Sequence, residues 1–444
     1  MNAARIAAPP MQYPRWVGSD TEPYRRLVLV VGFFCILLLP LWFIALMFPS
    51  HTTPESSLLV VPLIVLLQLV PISILTRKDD FLRLVLPIGL LFKLAAAGAF
   101  MQVYFSVFGA GGDVLGYFAL GKYLVDFGWF PFPGWTTGYL VQVVCGAVQT
   151  VLGAELASTT VAFALMAFWG QYLCDRAFCL GYPGGDRRLA AVLLFFWPSL
   201  VFWTSFIGKD ALMLLFIGMT AYGFARLQQS SAIGPLPLAL GLAGAAALRP
   251  HIGGMLALCL ATAHVYGRPK HRAYGVLLKA VTGAVLALGT IYLVAQARQF
   301  IGVTDVSGGV EWLDGMHQHQ SHGGSGFSSS KLVNLVLSPL FFARPFPWEA
   351  RSPQVALASL ESLGLLLLLF SKRCIPAALK FMRRSPVALM AGLFVAGFSL
   401  IFSLAMGNFG TMVRERTMAL PFVLMAAASA INARRHPERL VPRA

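Results

Sequence analysis

The stretch LAAVLLFFWPSLVFWTSF, which runs from Leu189 to Phe206, carries no charged side chain over its whole length. As a helix, an apolar run of this length matches the hydrocarbon thickness of a bilayer. Comparable runs recur along the chain, beginning with Leu27–Phe48. The composition of the 444 residues is 57% hydrophobic and 12% charged, whereas soluble domains contain about 25% charged residues. The sequence therefore predicts an integral membrane protein that crosses the bilayer many times.

The predicted fold class is an all-α polytopic membrane protein with about 12 transmembrane helices, within a range of about 11–13. We expect a membrane domain over residues 27–432, between an N-terminal tail of residues 1–26 and a C-terminal tail of residues 433–444. The first apolar run lacks a small-residue cleavage site, so we interpret it as a retained helix rather than a signal peptide. The predicted spans are 27–48, 57–75, 84–108, 157–178, 189–206, 211–227, 236–248, 252–267, 274–297, 354–371, 387–406 and 417–432.

The short apolar stretch Gly138–Gly153 decides the predicted topology. If it crossed the membrane, the basic clusters Arg268–Arg272 and Lys372–Arg384 would move to the outer side. Basic residues are enriched in cytoplasmic loops, so this arrangement is rejected. We interpret the stretch as a juxtamembrane or re-entrant helix on the outer face, with both termini in the cytoplasm. Two large outer loops follow from this topology, at residues 109–156 and 298–353.

The net charge of +16 does not indicate a nucleic-acid partner. The Lys and Arg residues lie in short clusters between apolar runs and form no continuous basic stripe. They are typical of topology determinants and of contacts with anionic membrane lipids. The six cysteines lie within or beside apolar runs without zinc-site spacing, so we interpret them as small apolar residues without disulfides. These features, together with the topology, favour a multi-pass membrane protein.

Asp113 follows the Gly111-Gly112 pair in the first outer loop and precedes an apolar segment. A carboxylate that is partly desolvated at the membrane surface can act as a general base on a sugar hydroxyl. The simpler interpretation is that Asp113 caps the next helix, and spacing alone favours the cap. Asp113 is therefore a candidate catalytic residue with an ordinary structural alternative.

Three short outer turns also carry charged residues, on the side of the membrane where the charge rule predicts few. A cation there can hold a phosphate, although each residue also has an ordinary role as a helix cap or a contact to lipid headgroups. One anionic site built from several helices explains their coincidence, and a lipid-linked phosphate or diphosphate is a suitable ligand. The candidate substrate-binding residues of these turns are Lys209, Asp210, Arg249, His251, Arg414 and Arg416.

Arg414 and Arg416 flank Glu415, and the local backbone determines whether the two arginines act together. In an extended loop both guanidinium groups point the same way, whereas in a helix they diverge. The sequence leaves both possibilities open.

The segment ARPFPWE, residues 343–349, cannot be regular helix because prolines alternate through it. Arg344 and Trp348 are candidates to line a sugar-binding mouth, and aromatic residues of this kind also occur in the interfacial belt of membrane proteins. Elsewhere in the second outer loop, the set of His317, His319 and His322 invites a zinc site. Its Gly/Ser/Gln surroundings favour a flexible loop, so we predict no metal site.

The pattern resembles the GT-C superfamily of membrane glycosyltransferases. The similar features are an acid followed by a tyrosine in the first outer loop (Asp113 and Tyr117) and a juxtamembrane helix in that loop. The other similar features are a proline-aromatic helix that ends in Lys209-Asp210, and an Arg-x-Arg motif ahead of a helix that begins with Leu-Pro. These last positions are Arg414, Arg416, Leu420 and Pro421.

The resemblance implies transfer of a sugar from a polyprenyl phosphate or diphosphate carrier to a glycan, lipid or protein acceptor outside the cytoplasm. It makes Asp113 the counterpart of the catalytic acid and Tyr117 a substrate-binding residue. Many members carry paired acids in this loop, whereas here the next acid is Asp126. No cofactor is required by the sequence, and a divalent cation is compatible with it.

Two alternatives stay open. A polymerase or ligase of surface polysaccharide would use outer-face arginines on a lipid diphosphate, with Arg249, Arg414 and Arg416 in that role. A flippase or transporter of lipid-linked sugar would do no chemistry and would need charged residues near the bilayer midplane. The basic residues well inside predicted spans are Lys93 and Lys279, whereas Arg176 and Arg226 lie at the cytoplasmic ends of theirs. Lys93 in mid-span indicates either an internal pairing or part of a polar pathway.

Overall fold

The computed structural model describes residues 56–127, 138–153, 155–229, 231–266, 330–370 and 374–435, with short pieces between 283 and 327. The predicted span 27–48, most of the span 274–297, and the three histidines of the second outer loop lie outside the described residues. In the described part all regular elements are helices, and the β-type pairing there is an isolated bridge between Gly326 and Asn408.

Sixteen α-helices and three 3₁₀ helices are described. The α-helices are α1 (Ser56–Leu75), α2 (Asp80–Ser106), α3 (Asp113–Phe127), α4 (Tyr139–Leu152), α5 (Leu156–Gly181), α6 (Arg187–Phe196), α7 (Pro198–Trp203), α8 (Lys209–Leu227), α9 (Pro235–Leu248), α10 (Pro250–Tyr266), α11 (Lys331–Leu337), α12 (Pro353–Phe370), α13 (Cys374–Met382), α14 (Pro386–Ala405), α15 (Phe409–Glu415) and α16 (Leu420–Arg435). The 3₁₀ helices are Ser338–Ala343, Pro347–Glu349 and Arg416–Met418.

Five of the described helices are long and apolar enough to cross a membrane, namely α2, α5, α8, α12 and α14. Each corresponds to a predicted span. The helices α1, α9, α10 and α16 also match predicted spans, although they are shorter or less uniformly apolar in the described part. The structure thus supports an all-α membrane protein, as the sequence predicts.

Helix α5 forms the centre of the described bundle, and most of its residues are buried. Close contacts at glycine hold it against α8. A Cβ atom added at Gly170 would lie 2.6 Å from the carbonyl oxygen of Leu214, and one added at Gly218 would lie 2.4 Å from the carbonyl oxygen of Gly170. Small residues let membrane helices approach each other until the backbones touch. The position of α8, and therefore of the residues at its start, depends on this contact.

The predicted continuous span over 189–206 is wrong in one respect, because the helix breaks in the middle. Helix α6 ends at Phe196, Trp197 is extended, and α7 restarts at Pro198. Proline has no backbone N–H to continue the helical ladder. The backbone N–H of Ser199 donates to a carboxylate oxygen of Glu361 at 3.1 Å. An acid from α12 therefore accepts a hydrogen bond from the first turn of α7, where the backbone N–H groups lack helical partners.

Lys93 is fully buried on α2, where it donates to the carbonyl oxygen of Val201 at 3.3 Å and to the hydroxyl of Thr204. Both acceptors lie at the C-terminal end of α7, where carbonyl groups lack helical partners and favour a cation. Of the two interpretations of Lys93, the internal pairing is the one that the structure contains.

Helix α4 has 14 residues and packs against α3, with a Cβ atom added at Gly121 lying 2.6 Å from the Cβ of Cys145. At about 1.5 Å per residue this helix is about 21 Å long, short of the roughly 30 Å hydrocarbon core. Helix α9, which matches a predicted span, has the same length, so the juxtamembrane position of α4 stays a prediction from the charge distribution.

We expect the substitution Gly218→Ala to destabilise the protein by about 1–3 kcal/mol, because the new methyl group would overlap the backbone of Gly170. The matched control is Gly116→Ala on α3, where an added Cβ atom meets nothing within 4 Å. Thermal unfolding of the detergent-solubilised protein measures both. Equal melting temperatures for the two variants would contradict the close contact between α5 and α8.

Candidate functional site

The structure brings together residues from four segments that are far apart in the sequence. They come from the start of α3, the start of α8, the junction of α9 with α10, and the end of α15. We call this group the polar cluster. Its members are Asp113, Tyr117, Lys209, Asp210, Arg249, His251, Arg414 and Glu415.

Asp210 is the centre of the polar cluster, and its side chain is completely buried. Its Oδ2 accepts a hydrogen bond from Nε of Arg414 at 2.5 Å, and its Oδ1 accepts one from Nη2 of Arg249 at 3.5 Å. A buried carboxylate is costly unless it is paired and hydrogen-bonded. Asp210 therefore fixes two guanidinium groups that come from different parts of the chain.

Glu415 binds the other side of Arg249 in a two-pronged contact. Nη2 of Arg249 donates to Oε1 of Glu415 at 2.9 Å, and Nη1 donates to Oε2. Because the planar guanidinium matches a carboxylate at two points, this pair is both strong and directional. Both terminal nitrogens of Arg249 are thus occupied by acids.

Arg414 is more accessible than Arg249. Its side chain is 32% exposed, and its guanidinium lies 5.6 Å from the ring centre of Phe206. It contacts Asp210 through Nε, and among the hydrogen bonds of the described residues its two terminal nitrogens have no protein partner. Arg414 can therefore bind an anion while Asp210 holds it in place.

Asp113 is exposed and is the first residue of α3. In the described part of the chain its side chain accepts one hydrogen bond, from the hydroxyl of Tyr117 at 3.3 Å. A carboxylate is favourable at a helix N-terminus because of the helix dipole. The side chain of Asp113 nevertheless stays open to solvent, as a general base on an incoming substrate requires.

Tyr117 connects Asp113 to the arginines. It is buried and interacts electrostatically with Arg414 and Arg249 as well as with Asp113. Burial, and next the negative charge of Asp113, raise the pKa of the Tyr117 hydroxyl above its ordinary value. The hydroxyl therefore stays protonated at neutral pH and acts as a donor to Asp113.

Lys209 and His251 complete the polar cluster. Lys209 interacts electrostatically with Arg249 and with the acids Asp113, Asp210 and Glu415. Within the described structure, the Nδ1 atom of His251 is buried without a hydrogen-bond partner. A buried polar atom of this kind is satisfied by an unseen water or by a ligand.

Arg416 belongs to a different network, although it is two residues from Arg414. The segment is helical, with α15 followed by a 3₁₀ turn, so the two arginines diverge as expected for a helix. Arg416 is fully buried and lies 3.2 Å from a carboxylate oxygen of Glu361. Its Nη1 also donates to the carbonyl oxygens of Phe342 and Arg344 and to the hydroxyl of Ser362. The structure does not bring Arg416 to the polar cluster.

Arg344 and Trp348 also have separate surroundings. Nη2 of Arg344 donates to Glu349 at 2.6 Å, and its guanidinium lies 5.0 Å from the ring centre of Phe327. Trp348 is 79% exposed and stacks on Phe346 with 4.8 Å between ring centres. In the described structure Arg344 is held internally, while Trp348 presents an aromatic face to its surroundings.

Sequence reasoning missed two acids. Glu415 was noted beside the arginines but given no role, and it holds Arg249. Glu361 lies inside an apolar span, and its signal was its position, since an acid within a membrane helix is rare and usually paired. It accepts hydrogen bonds from Trp197 and Ser199 and pairs with Arg416.

A metal centre is not formed by the residues that the structure describes, since none of them make up a group of three or more His, Cys, Asp or Glu side chains that could hold a metal ion. No protein-family model, no curated protein and no solved structure matches the chain.

We expect Asp210→Ala to destabilise the protein by about 3 kcal/mol, because it removes the acid that pairs with Arg414 and leaves Arg249 with Glu415 as its acidic partner. Thermal or chemical unfolding in detergent measures the loss. The matched control is Asp126→Ala, which removes an exposed acid from α3 and should change stability by less than about 0.5 kcal/mol. Similar stabilities for the two variants would show that Asp210 does not hold the cluster together.

Proposed function

We propose that the chain is a membrane glycosyltransferase. It moves a sugar or oligosaccharide from a polyprenyl phosphate or diphosphate carrier to a glycan, lipid or protein acceptor at the outer face of the bacterial plasma membrane. This activity would serve the synthesis of cell-surface polysaccharide or glycoconjugate. The observation that carries the proposal is the polar cluster, in which Lys209 and Arg414 both interact electrostatically with the exposed carboxylate of Asp113.

The proposed reaction is an inverting displacement at the anomeric carbon of the donor sugar. Asp113 accepts the proton of the acceptor hydroxyl as its oxygen forms the new bond to that carbon. The bond from the anomeric carbon to the carrier phosphate breaks, and the phosphate oxygen leaves with the electron pair. Preorganised cations in a site with little water stabilise the charge that develops on this oxygen.

The geometry supports a division of work among the cations. Both terminal nitrogens of Arg249 are occupied by acids, so this arginine organises the site. Arg414 offers its two terminal nitrogens to the phosphate, and Lys209 adds a point charge near Asp113. Arg416 is enclosed by backbone carbonyls and Glu361, so we assign it a positioning role rather than contact with phosphate.

Of the two alternatives, the polymerase or ligase is the more similar to the proposed mechanism, because it would also use Arg414 on a lipid diphosphate. It differs in giving Asp113 no part in the reaction. The flippase is less well supported, because the charged residues Lys93 and Glu361 within the described spans are bonded to other protein groups. Lys93 is bonded to the end of α7, and Glu361 is bonded to Trp197, Ser199 and Arg416. Charges held by fixed protein partners are typical of structural pairs rather than of a transport pathway.

The proposed topology has about 12 spans, with both termini in the cytoplasm and α4 on the outer surface. The sequence supports this topology because it places the basic clusters Arg268–Arg272 and Lys372–Arg384 in the cytoplasm.

We expect Asp113→Asn to lower turnover by roughly 10²–10⁴-fold, the usual loss for a general base, while folding and binding of the lipid carrier survive. Asn keeps the shape of the side chain, and its amide oxygen can still accept the hydrogen bond from the Tyr117 hydroxyl. The donor is first identified by mass spectrometry of lipid that copurifies with the protein. Turnover, carrier retention and melting temperature are then measured for the wild type and the variant.

Asp126→Asn is the matched control, since it changes an exposed acid on the same helix, and it should be silent. Near-normal transfer by a folded Asp113→Asn protein would remove the base from the mechanism. In that case, loss of activity in Arg414→Gln would favour the polymerase or ligase.

We expect a cysteine placed before α4 and a cysteine placed in the last turn of α4 to be labelled from the same, outer side of the membrane. Suitable positions in a cysteine-free background are Asp126→Cys and Thr150→Cys, both of which are exposed. Lys78→Cys, in an exposed turn assigned to the cytoplasm, is the control for the opposite side. Impermeant maleimide on intact cells and on broken cells measures the sidedness. If Thr150→Cys is labelled from the same side of the membrane as Lys78→Cys, and not from the side that labels Asp126→Cys, the proposed topology is wrong.

A further inference from the structure

A cavity of about 280 Å³ lies where α10, α13 and the start of α14 meet. The other end of α14 leads into α15, which carries Arg414 and Glu415 of the polar cluster. One part of its wall is basic, formed by Arg383 and Arg384 in the turn between α13 and α14. Another part is apolar and includes Leu379 and Leu389. The cavity therefore combines two guanidinium groups with an apolar wall.

Helix α13, which forms part of this wall, has two unlike faces. Cys374 and Phe381 are buried against the rest of the protein, whereas Ile375 and Leu379 are each about half exposed. Lys380 lies in the last turn of the same helix. A helix with exposed leucine and isoleucine and a basic end is typical of one that lies in a membrane interface.

These features select the ligand by its chemistry. A soluble anion would match the arginines but would gain nothing from Leu379 and Leu389. An uncharged lipid would match the apolar wall but would gain nothing from the arginines. An anionic phospholipid carries a phosphate and an acyl chain in one molecule, and basic residues beside the membrane attract it.

We propose that this cavity binds an anionic phospholipid, with its headgroup phosphate at Arg383 and Arg384 and an acyl chain along Leu379 and Leu389. In the proposed topology the cavity faces the cytoplasmic leaflet. The inference does not rest on glycosyl transfer, because it concerns a separate part of the molecule and a lipid that takes no part in that reaction.

Native mass spectrometry of the full-length protein in mild detergent tests the proposal, with phosphatidylglycerol and phosphatidylcholine of the same chain length as probes. We expect phosphatidylglycerol to bind more tightly than phosphatidylcholine. In the double variant Arg383→Gln/Arg384→Gln, we expect affinity for phosphatidylglycerol to fall by roughly 10- to 30-fold, as two lost basic contacts predict. Binding of phosphatidylcholine should change little.

The matched control is Arg77→Gln/Lys78→Gln, which removes two exposed charges from another turn. This control should bind phosphatidylglycerol as tightly as the wild type. An equal loss of affinity in the control and in the Arg383→Gln/Arg384→Gln variant would show that the cavity is not a specific site. Absence of a preference for phosphatidylglycerol in the wild type would also overturn the proposal. The variant Leu379→Asn should weaken lipid binding, and glycerol phosphate at millimolar concentration should not displace the lipid. Displacement by glycerol phosphate would identify a site for a soluble anion instead.

Discussion

A charge in the interior of a membrane protein must be paired, and the polar cluster meets this requirement by joining distant parts of the chain. Asp210 at the start of α8 is bound to Arg249 before α10 and to Arg414 in α15. Glu415 forms a further ion pair with Arg249. Removing any member leaves a buried charge without compensation, so the pairs constrain where the ends of these helices lie. The geometry of the candidate site follows from that constraint.

Three consecutive residues link this constraint to a second one. Arg414, Glu415 and Arg416 lie at the junction of α15 with a 3₁₀ turn, where successive side chains point in different directions. Arg414 and Glu415 reach the polar cluster, while Arg416 reaches Glu361 on α12. Glu361 in turn holds the broken helix at Trp197 and Ser199, just ahead of Lys209 and Asp210. The two networks therefore approach the start of α8 from both sides.

Much of the fold could be predicted from the sequence, because long apolar runs have few solutions in a bilayer. The gathering of the charged residues from the short turns could also be anticipated, since charged residues beside membrane helices need partners. The break at Pro198 was missed because its compensation lies in α12, and hydropathy does not show which acid serves a given proline. The direction of Arg416 could not be predicted either, because it depends on whether the turn is helical.

The exposure of the individual groups suggests how two substrates would share the site. Asp113 is exposed, whereas Arg414 lies over the ring of Phe206, which itself stacks on Phe100 of α2 with 3.7 Å between ring centres. Both rings are buried, so they position Arg414 from within the protein, and in the proposed reaction the carrier phosphate would reach this arginine from its accessible side. A polar acceptor would approach Asp113 from water. In the proposed reaction the anomeric carbon of the donor would lie between Asp113 and Arg414, so the accepting base and the phosphate ligand would act on opposite sides of the same carbon.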